Sequence, residues 1–330
     1  MDTSTSYLGL RLAHPFMAGA SPLSAQLDTV KRLEDAGVAA IVLHSLFEEQ
    51  ITLAESGRIR HRDPLDAEFA AALAPFPPAA EYPFSPEEHL EHLRLVKKTV
   101  QVPVIASLNG TSKEAWLHYA TLLQEAGADA IELNCYEVVT ELTVPGVAVE
   151  MQIRDMVTEL KRSVRIPIAV KLSPFFTAFG NFAHHLDEAG ADGLVIFNRF
   201  YQPDIDIKTM KAVSSLELSR SGDLLLRLRW LAILHGRIRA SLAATGGVET
   251  ANDGIKAILA GAHAVQMVSA LLRHGPGFAT TMRDGLVRWM EWQHVASVDA
   301  MRGMASLQHS PDAGAFERAN YIRTLHQWNK

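Results

Sequence analysis

Cys135, Tyr136 and Glu137 stand in succession directly after an apolar run that ends in Asn134. A thiol, a phenol and a carboxylate can each move a proton if burial or a neighbouring charge tunes it. Further on, Lys171 interrupts the apolar run "AVKLS". A buried ammonium must be paired or hydrogen-bonded, because leaving it alone in the interior is costly. The alternation of "AVKLS" puts it on an inward face rather than at a rim where it would snorkel out. A third segment, "ATGGVET", sets Gly246 and Gly247 just ahead of a helix starting near Thr250. Without side chains, their backbone N–H groups can approach a phosphate.

Each signal also has a plainer meaning. A glutamate on a strand-end loop is ordinarily solvated, and works as a base only if burial brings its pKa near the operating pH. Tyr136 fits a packing aromatic, and Gly-Gly alone is an ordinary turn. Their weight comes from the elements that carry them.

Four copies of one phrase, amphipathic helix, Ala-Gly, short apolar strand, decide that context: "RLEDAGVAAIVLHS", "LLQEAGADAIELN", "HLDEAGADGLVIFN" and "AILAGAHAVQMVSA". The glycines fit the residue that ends a helix, and the near-continuous apolar runs suit parallel strands buried on both faces. Adding "PFMAGAS", "VPVIASLN", "IPIAVKLS" and "RASLAATGG" predicts eight strands, at 15–20, 39–45, 102–108, 129–134, 167–173, 193–198, 240–245 and 263–268. Helical stretches at 87–99, 113–125, 147–164 and 250–259 separate them. This is the pattern of a (β/α)8 TIM barrel. The rival, an open doubly wound sheet, more often shows a GxGxxG turn after its first strand, and none is present. Residues 46–86, with the proline-rich "PFPPAAEYPFSP", and 199–224, ending in "SRSGD", form long loops after strands 2 and 6. Both leave the barrel face where chemistry is kept, so they are candidate lids, substrate walls or subunit contacts. We expect a barrel domain over 1–295 and a C-terminal helical extension over 296–330.

The strand ends then bring forward Gly19, Ala20, Ser21, His44, Ser45, Ser107, Asn134, Glu137, Lys171, Asn198, Gly246, Gly247, Val268 and Ser269. The last two strands of a barrel commonly hold a phosphate, which strengthens the Gly246-Gly247 and Val268-Ser269 reading. The bulk properties narrow the class. The net charge is −6, from 31 basic and 37 acidic residues without a basic block, which argues against a nucleic-acid partner. No secretory signal or membrane-length apolar run is present, so a cytoplasmic chain without membrane partners is expected. A single cysteine excludes an intrachain disulfide and a cysteine-based metal or iron–sulfur cluster. No metal site is expected.

The chain resembles the dihydroorotate dehydrogenase family of flavin mononucleotide enzymes, in its divergent dihydroorotate dehydrogenase-like branch. "HPFMAGASPLS", "IELN", "IPIAVKLSP" and "ATGGVETANDGIKAILAGAHAVQMVSAL" carry the likeness, which covers most of the chain. It implies FMN as cofactor, with Gly19, Ala20 and Ser21 along the flavin ring and Lys171 at its pyrimidine edge. Ser45 and Ser107 would join the cofactor site, and Asn134 and Asn198 would lie at flavin and substrate. Gly246, Gly247, Val268 and Ser269 would hold the phosphate. The implied reaction moves a hydride between flavin N5 and a small polar, dihydropyrimidine-like substrate, nominally dihydroorotate to orotate in pyrimidine biosynthesis. Two departures stand out. His44-Ser45 replaces a lysine followed by serine, turning a permanent charge into a titrating one. A Ser-Cys-Pro-Asn segment is replaced by Cys135-Tyr136-Glu137-Val138-Val139, so simple register puts Glu137 where the base belongs, with Cys135 at an apolar position. The flavin half of the site is kept and the orotate half is rewritten. Two alternatives stay open: a degenerate flavoprotein acting as a redox-partner subunit, and a flavin-free phosphosugar isomerase or aldolase. Partners in view are a small-molecule substrate, a second copy in a homodimer and a separate redox protein.

Overall fold

The computed structural model describes residues 1–59, 83–110, 113–199 and 202–327. Eight parallel strands run in chain order around a closed barrel: β1 Phe16–Ala18, β2 Ile41–Val42, β3 Val104–Asn109, β4 Ala130–Asn134, β5 Ile168–Leu172, β6 Gly193–Ile196, β7 Ser241–Thr245 and β8 Ala264–Met267. Closure is made by β8 pairing with β1, at Val265 with Phe16. The helices α1 Leu27–Asp35, α2 Pro86–Thr99, α3 Lys113–Glu125, α4 Gly146–Ser163, α5 Phe179–Glu188, α6 Leu224–Leu234, α7 Ala251–Ala260 and α8 Phe278–Trp292 alternate with them. The fold is the expected (β/α)8 TIM barrel.

The repeated phrase has a mechanical reason. Gly127 (φ 98°) and Gly190 (φ 97°) end α3 and α5 in the left-handed region, which a side chain would resist. The next aspartate then latches the neighbouring strand. Asp129 accepts from Lys97 Nζ at 2.6 Å and from the Val104 N–H at 2.7 Å. Asp192 repeats this with Lys161 at 2.6 Å and Ile168 at 2.7 Å. Such part-exposed ion pairs add little, about 0–1 kcal/mol. Their larger effect is to give each strand's leading N–H an acceptor.

Strand parity sorts the apolar residues into two layers. Ile131, Leu133, Val170 and Leu172 face outward onto the helices, while Met17, Val42, Ile105, Ala130, Ala169, Ala243 and Ala264 face inward. The inward ring is dominated by small residues, and the space is filled from below. An antiparallel hairpin, Thr5–Tyr7 with Leu10–Leu12, plugs the floor with Tyr7, Leu8 and Leu12. Its two-residue turn puts Leu8 (φ 55°) and Gly9 (φ 73°) in the left-handed region. Leu8 is held there by burial: a Cβ on Gly193 would lie 2.5 Å from its Cδ2.

Expected strand 2 is shorter than 39–45. The His44 N–H goes to Ser24 Oγ at 2.7 Å instead of the sheet, and pairing resumes only at Leu46–Phe47. The helix Glu48–Ile59 follows, and most of the proline-rich segment lies outside the described residues. After β6 an exposed hairpin pairs Pro203–Asp206 with Lys211–Ser214. Beyond 296 the chain packs back on the barrel: Val298 and Met301 are buried, and the Leu307 N–H reaches Ala232 O in α6 at 2.9 Å.

The plug carries a testable consequence. Tyr7 is fully buried and its hydroxyl has no hydrogen-bond partner among the described residues. Tyr7→Ala should destabilise by about 3–5 kcal/mol in denaturant unfolding, the usual loss for a buried aromatic. Tyr7→Phe should be neutral or stabilising, because it removes an unsatisfied polar group. A marked loss with phenylalanine would mean that the hydroxyl has a partner.

Candidate active site

On β4, β5 and β8 the inward parity passes from alanine to polar side chains: Ala130, Glu132, Asn134; Ala169, Lys171; Ala264, Gln266. Glu132 is 1% exposed, Lys171 5% and Gln266 0%. Lys171 Nζ donates to Glu132 Oε1 at 3.1 Å, and Gln266 Nε2 donates to Glu132 Oε2. The two charges sit in one pocket of low dielectric, where removing either partner would leave the other uncompensated, a loss of about 3–5 kcal/mol. One layer higher, Asn198 Nδ2 donates to Asn134 Oδ1 at 2.7 Å.

Six of the residues named from sequence, Ala20, Lys171, Asn198, Gly246, Val268 and Ser269, line one cleft of about 80 Å3 at the strand carboxyl ends. At its β7–β8 end Gly246 and Gly247 both have φ 79°. A Cβ on Gly247 would collide with the backbone of Leu224, so the turn lies directly against the start of α6. Ser219 Oγ accepts from the Gly247 N–H at 3.0 Å and donates to Ser269 Oγ at 2.8 Å, and the Ser219 N–H also donates to Ser269 Oγ at 3.0 Å. Arg273 holds that segment through the carbonyls of Ser219 and Leu218, at 2.8 and 2.9 Å. A glycine turn beside a helix N-terminus is a place where backbone N–H groups can receive an anion. On the β1 side, a Cβ on Gly19 would come within 2.7 Å of Val268 Cγ2, so only glycine fits. Ser21 is buried, and its carbonyl accepts from the Ser24 hydroxyl at 3.0 Å.

At the end of β2, Ser45 and Ser107 hydroxyls meet at 2.7 Å. His44 packs against His89, ring centroids 5.3 Å apart, and against Phe84. His89 Nε2 lies 3.0 Å from the His44 carbonyl, and His92 Nε2 lies 2.7 Å from Ser24 O. Burial, reinforced by neighbouring histidines, pushes both His44 and His89 down to about 4. His44 is therefore neutral at ordinary pH.

Glu137 is not part of this assembly. It is exposed on the loop after β4, at the mouth of a separate cavity of about 560 Å3 with Phe175 and Glu141. That loop shows apolar side chains to solvent, with Val138 63% and Leu142 100% exposed. Cys135 is buried in the packing between barrel and helices and lines the inner wall of the same cavity. Burial, with Glu137 nearby, pushes its thiol up to about 12, so it is protonated and a poor proton acceptor at neutral pH. Sequence reasoning missed Glu132, Gln266 and Ser219. The first two carried the signal that exposed Lys171, a polar residue at inward parity within an apolar strand.

The histidine cluster predicts an acid-sensitive fold. Unfolded histidine titrates near 6.5, so between pH 6.5 and about 4 the unfolded chain binds more protons than the folded one. Stability is full above pH 6.5 and falls as pH drops. Denaturant midpoints at pH 7 and pH 5 should differ by about 1 kcal/mol or more. His89→Gln should flatten that dependence only in part, since burial also holds His263 down to about 4. An equal slope in wild type and variant would refute the assignment.

The profile of the dihydroorotate dehydrogenase family matches residues 86–290. The catalytic subunit of dihydroorotate dehydrogenase B (NAD(+)) from Thermoplasma volcanium is 27% identical over 92% of this chain and 98% of that protein. A putative dihydroorotate dehydrogenase A (fumarate) from Aeropyrum pernix is 30% identical over 65% of this chain and 72% of that protein. Subunit PreA of the NAD-dependent dihydropyrimidine dehydrogenase of Escherichia coli is 25% identical over 92% of this chain and 77% of that protein. No helix among the described residues is long and apolar enough to cross a membrane. The chain belongs to the dihydroorotate dehydrogenase family of oxidoreductases.

Proposed function

We propose that the protein is an FMN-dependent oxidoreductase acting on a CH–CH bond of a small polar, dihydropyrimidine-like substrate. The observation that carries the reading is the buried Lys171 ammonium in one cleft with the tight glycine turn at Gly246 and with Ser269. Gly246, Gly247, Val268 and Ser269 would hold the phosphate. Gly19, Ala20, Ser21, Ser45, Ser107, Asn134 and Lys171 would surround the ring. The fit rests on two features of the chain: glycines where a Cβ has no room, and the unpartnered Gln266 Oε1 at the cleft. At about 80 Å3 the cleft takes a phosphate-sized group as it stands. A tricyclic ring requires the loops above it to move outward.

When bound, the flavin supplies the two-electron acceptor. Lys171 places a fixed positive charge where a reduced ring is negative, which favours reduction. Asn134 and Asn198, already joined, can present amide donors and acceptors to the substrate. Glu137 is the proposed base. It needs burial to act, and closing its loop over the site would bury both the carboxylate and the exposed Val138 and Val139. With His44 neutral, the strand 2 end adds no charge, which suits a substrate other than an anionic orotate-type ring. Dihydroorotate is therefore the nominal substrate only. Two of the relatives named above are subunits of larger enzymes, which supports electron transfer to a separate redox protein. Family membership favours the oxidoreductase over a flavin-free phosphosugar enzyme.

The test is spectroscopic. The purified protein should carry one releasable FMN per chain, bleached anaerobically by the right dihydropyrimidine. Glu137→Gln should keep the flavin and slow bleaching roughly 100-fold, while Cys135→Ala leaves it nearly unchanged. A colourless protein that takes up no FMN would refute the function, and a dead Cys135 variant beside an active Glu137 variant would reassign the base.

A further inference from the structure

Both oxygens of Glu132 are engaged inside the barrel, by Lys171 and Gln266. A carboxylate can only accept hydrogen bonds. Gln266 must therefore turn its amide nitrogen toward Glu132, which leaves Oε1 on the other side. That oxygen is buried, has no hydrogen-bond partner among the described residues, and lies 3.3 Å from where a Cβ on Gly19 would sit. Lys171 and Gln266 line the same cleft. One side chain thus orders a cationic donor and a free acceptor, side by side, at the cleft floor.

We infer that Glu132 is a positioning residue: it holds Lys171 as a charged donor and Gln266 as an acceptor, so the pair reads a ligand edge that carries an acceptor next to a donor. A cyclic imide, C=O beside N–H, has that edge, and the pyrimidine ring of a flavin is one. The inference rests on the FMN reading and adds how this chain orients the ring. An unpartnered buried acceptor is costly until a donor reaches it, so the arrangement gains its last hydrogen bond only when an imide N–H arrives.

Among the described residues, Lys171 is the cationic side chain that Glu132 holds by a hydrogen bond. Tyr7 rises from the floor, and burial followed by Glu132 drives its phenol well above the usual range, so it stays neutral. Arg199, after β6, is paired with Asp223 at 3.1 Å. Gln266, Asn134 and Asn198 do not titrate, and His44 is neutral above pH about 4.

The experiment compares the flavin midpoint potential at neutral pH in wild type and in the isosteric Glu132→Gln variant, both FMN-loaded. Without its counter-ion the Lys171 ammonium faces the ring uncompensated, so the variant should favour reduced flavin roughly tenfold more than wild type, about 30 mV for two electrons. Coincident or lower potentials in the variant overturn the inference while leaving the flavin reading intact. A wild type that takes up no FMN overturns both. Should Glu132→Gln fail to fold or load, Gln266→Met supplies the second arm. Its potential should track wild type while FMN binds roughly tenfold more weakly, and an unchanged affinity overturns the inference.

Discussion

A carboxylate and an ammonium, Glu132 and Lys171, meet inside a barrel whose other inward residues at that depth are apolar or uncharged. Neither could be there alone. Their pairing explains the surrounding design. The floor below is closed by the Tyr7 hairpin, so water has no route from that end. The layer above holds Asn134 and Asn198, uncharged and mutually bonded, so the pair's field is not offset by a third charge. The open side is the cleft lined by Lys171 and Gln266, which leaves that direction for a ligand to complete the network.

The two halves of the top face differ in how finished they are. Around β7, β8 and α6 the backbone is locked by positive-φ glycines, Arg273 and the Thr250–Asp253 capping box, as an anion site needs. Around β4 and β5 the loop carrying Glu137 stands open with apolar side chains in solvent. The locked end suits the proposed phosphate, and the open end suits the proposed substrate. At the end of β2, His44 is not a ready switch, because burial against His89 and His92 keeps the ring neutral.

Much of this was legible in the residues. The helix, Ala-Gly, strand phrase works because glycine ends the helix, and in two of the four copies the following aspartate, Asp129 or Asp192, also latches the sheet. Parity within "AVKLS" put Lys171 inside. The same argument applied to "AIELN" and "AVQM" would have found Glu132 and Gln266. They were passed over because a lone acidic or amide residue in an apolar run has no stated partner until the barrel closes, and these lie 39 and 134 residues from theirs. The floor hairpin was hidden for a similar reason: nothing local in "TSYLGLRL" says that it fills a ring of alanines. Strand 2 was over-extended because its interruption depends on a hydroxyl at Ser24, on another element. Glu137 was placed by register alone, and register says nothing of loop direction.

The central claim is that Lys171 is held charged at the site to stabilise a reduced ring. The flavin midpoint potential of Lys171→Met, measured against wild type at neutral pH, tests it most directly. The account predicts a lower potential, since the reduced form loses its counter-charge while the oxidised form loses little. An equal or higher potential in the variant would contradict it.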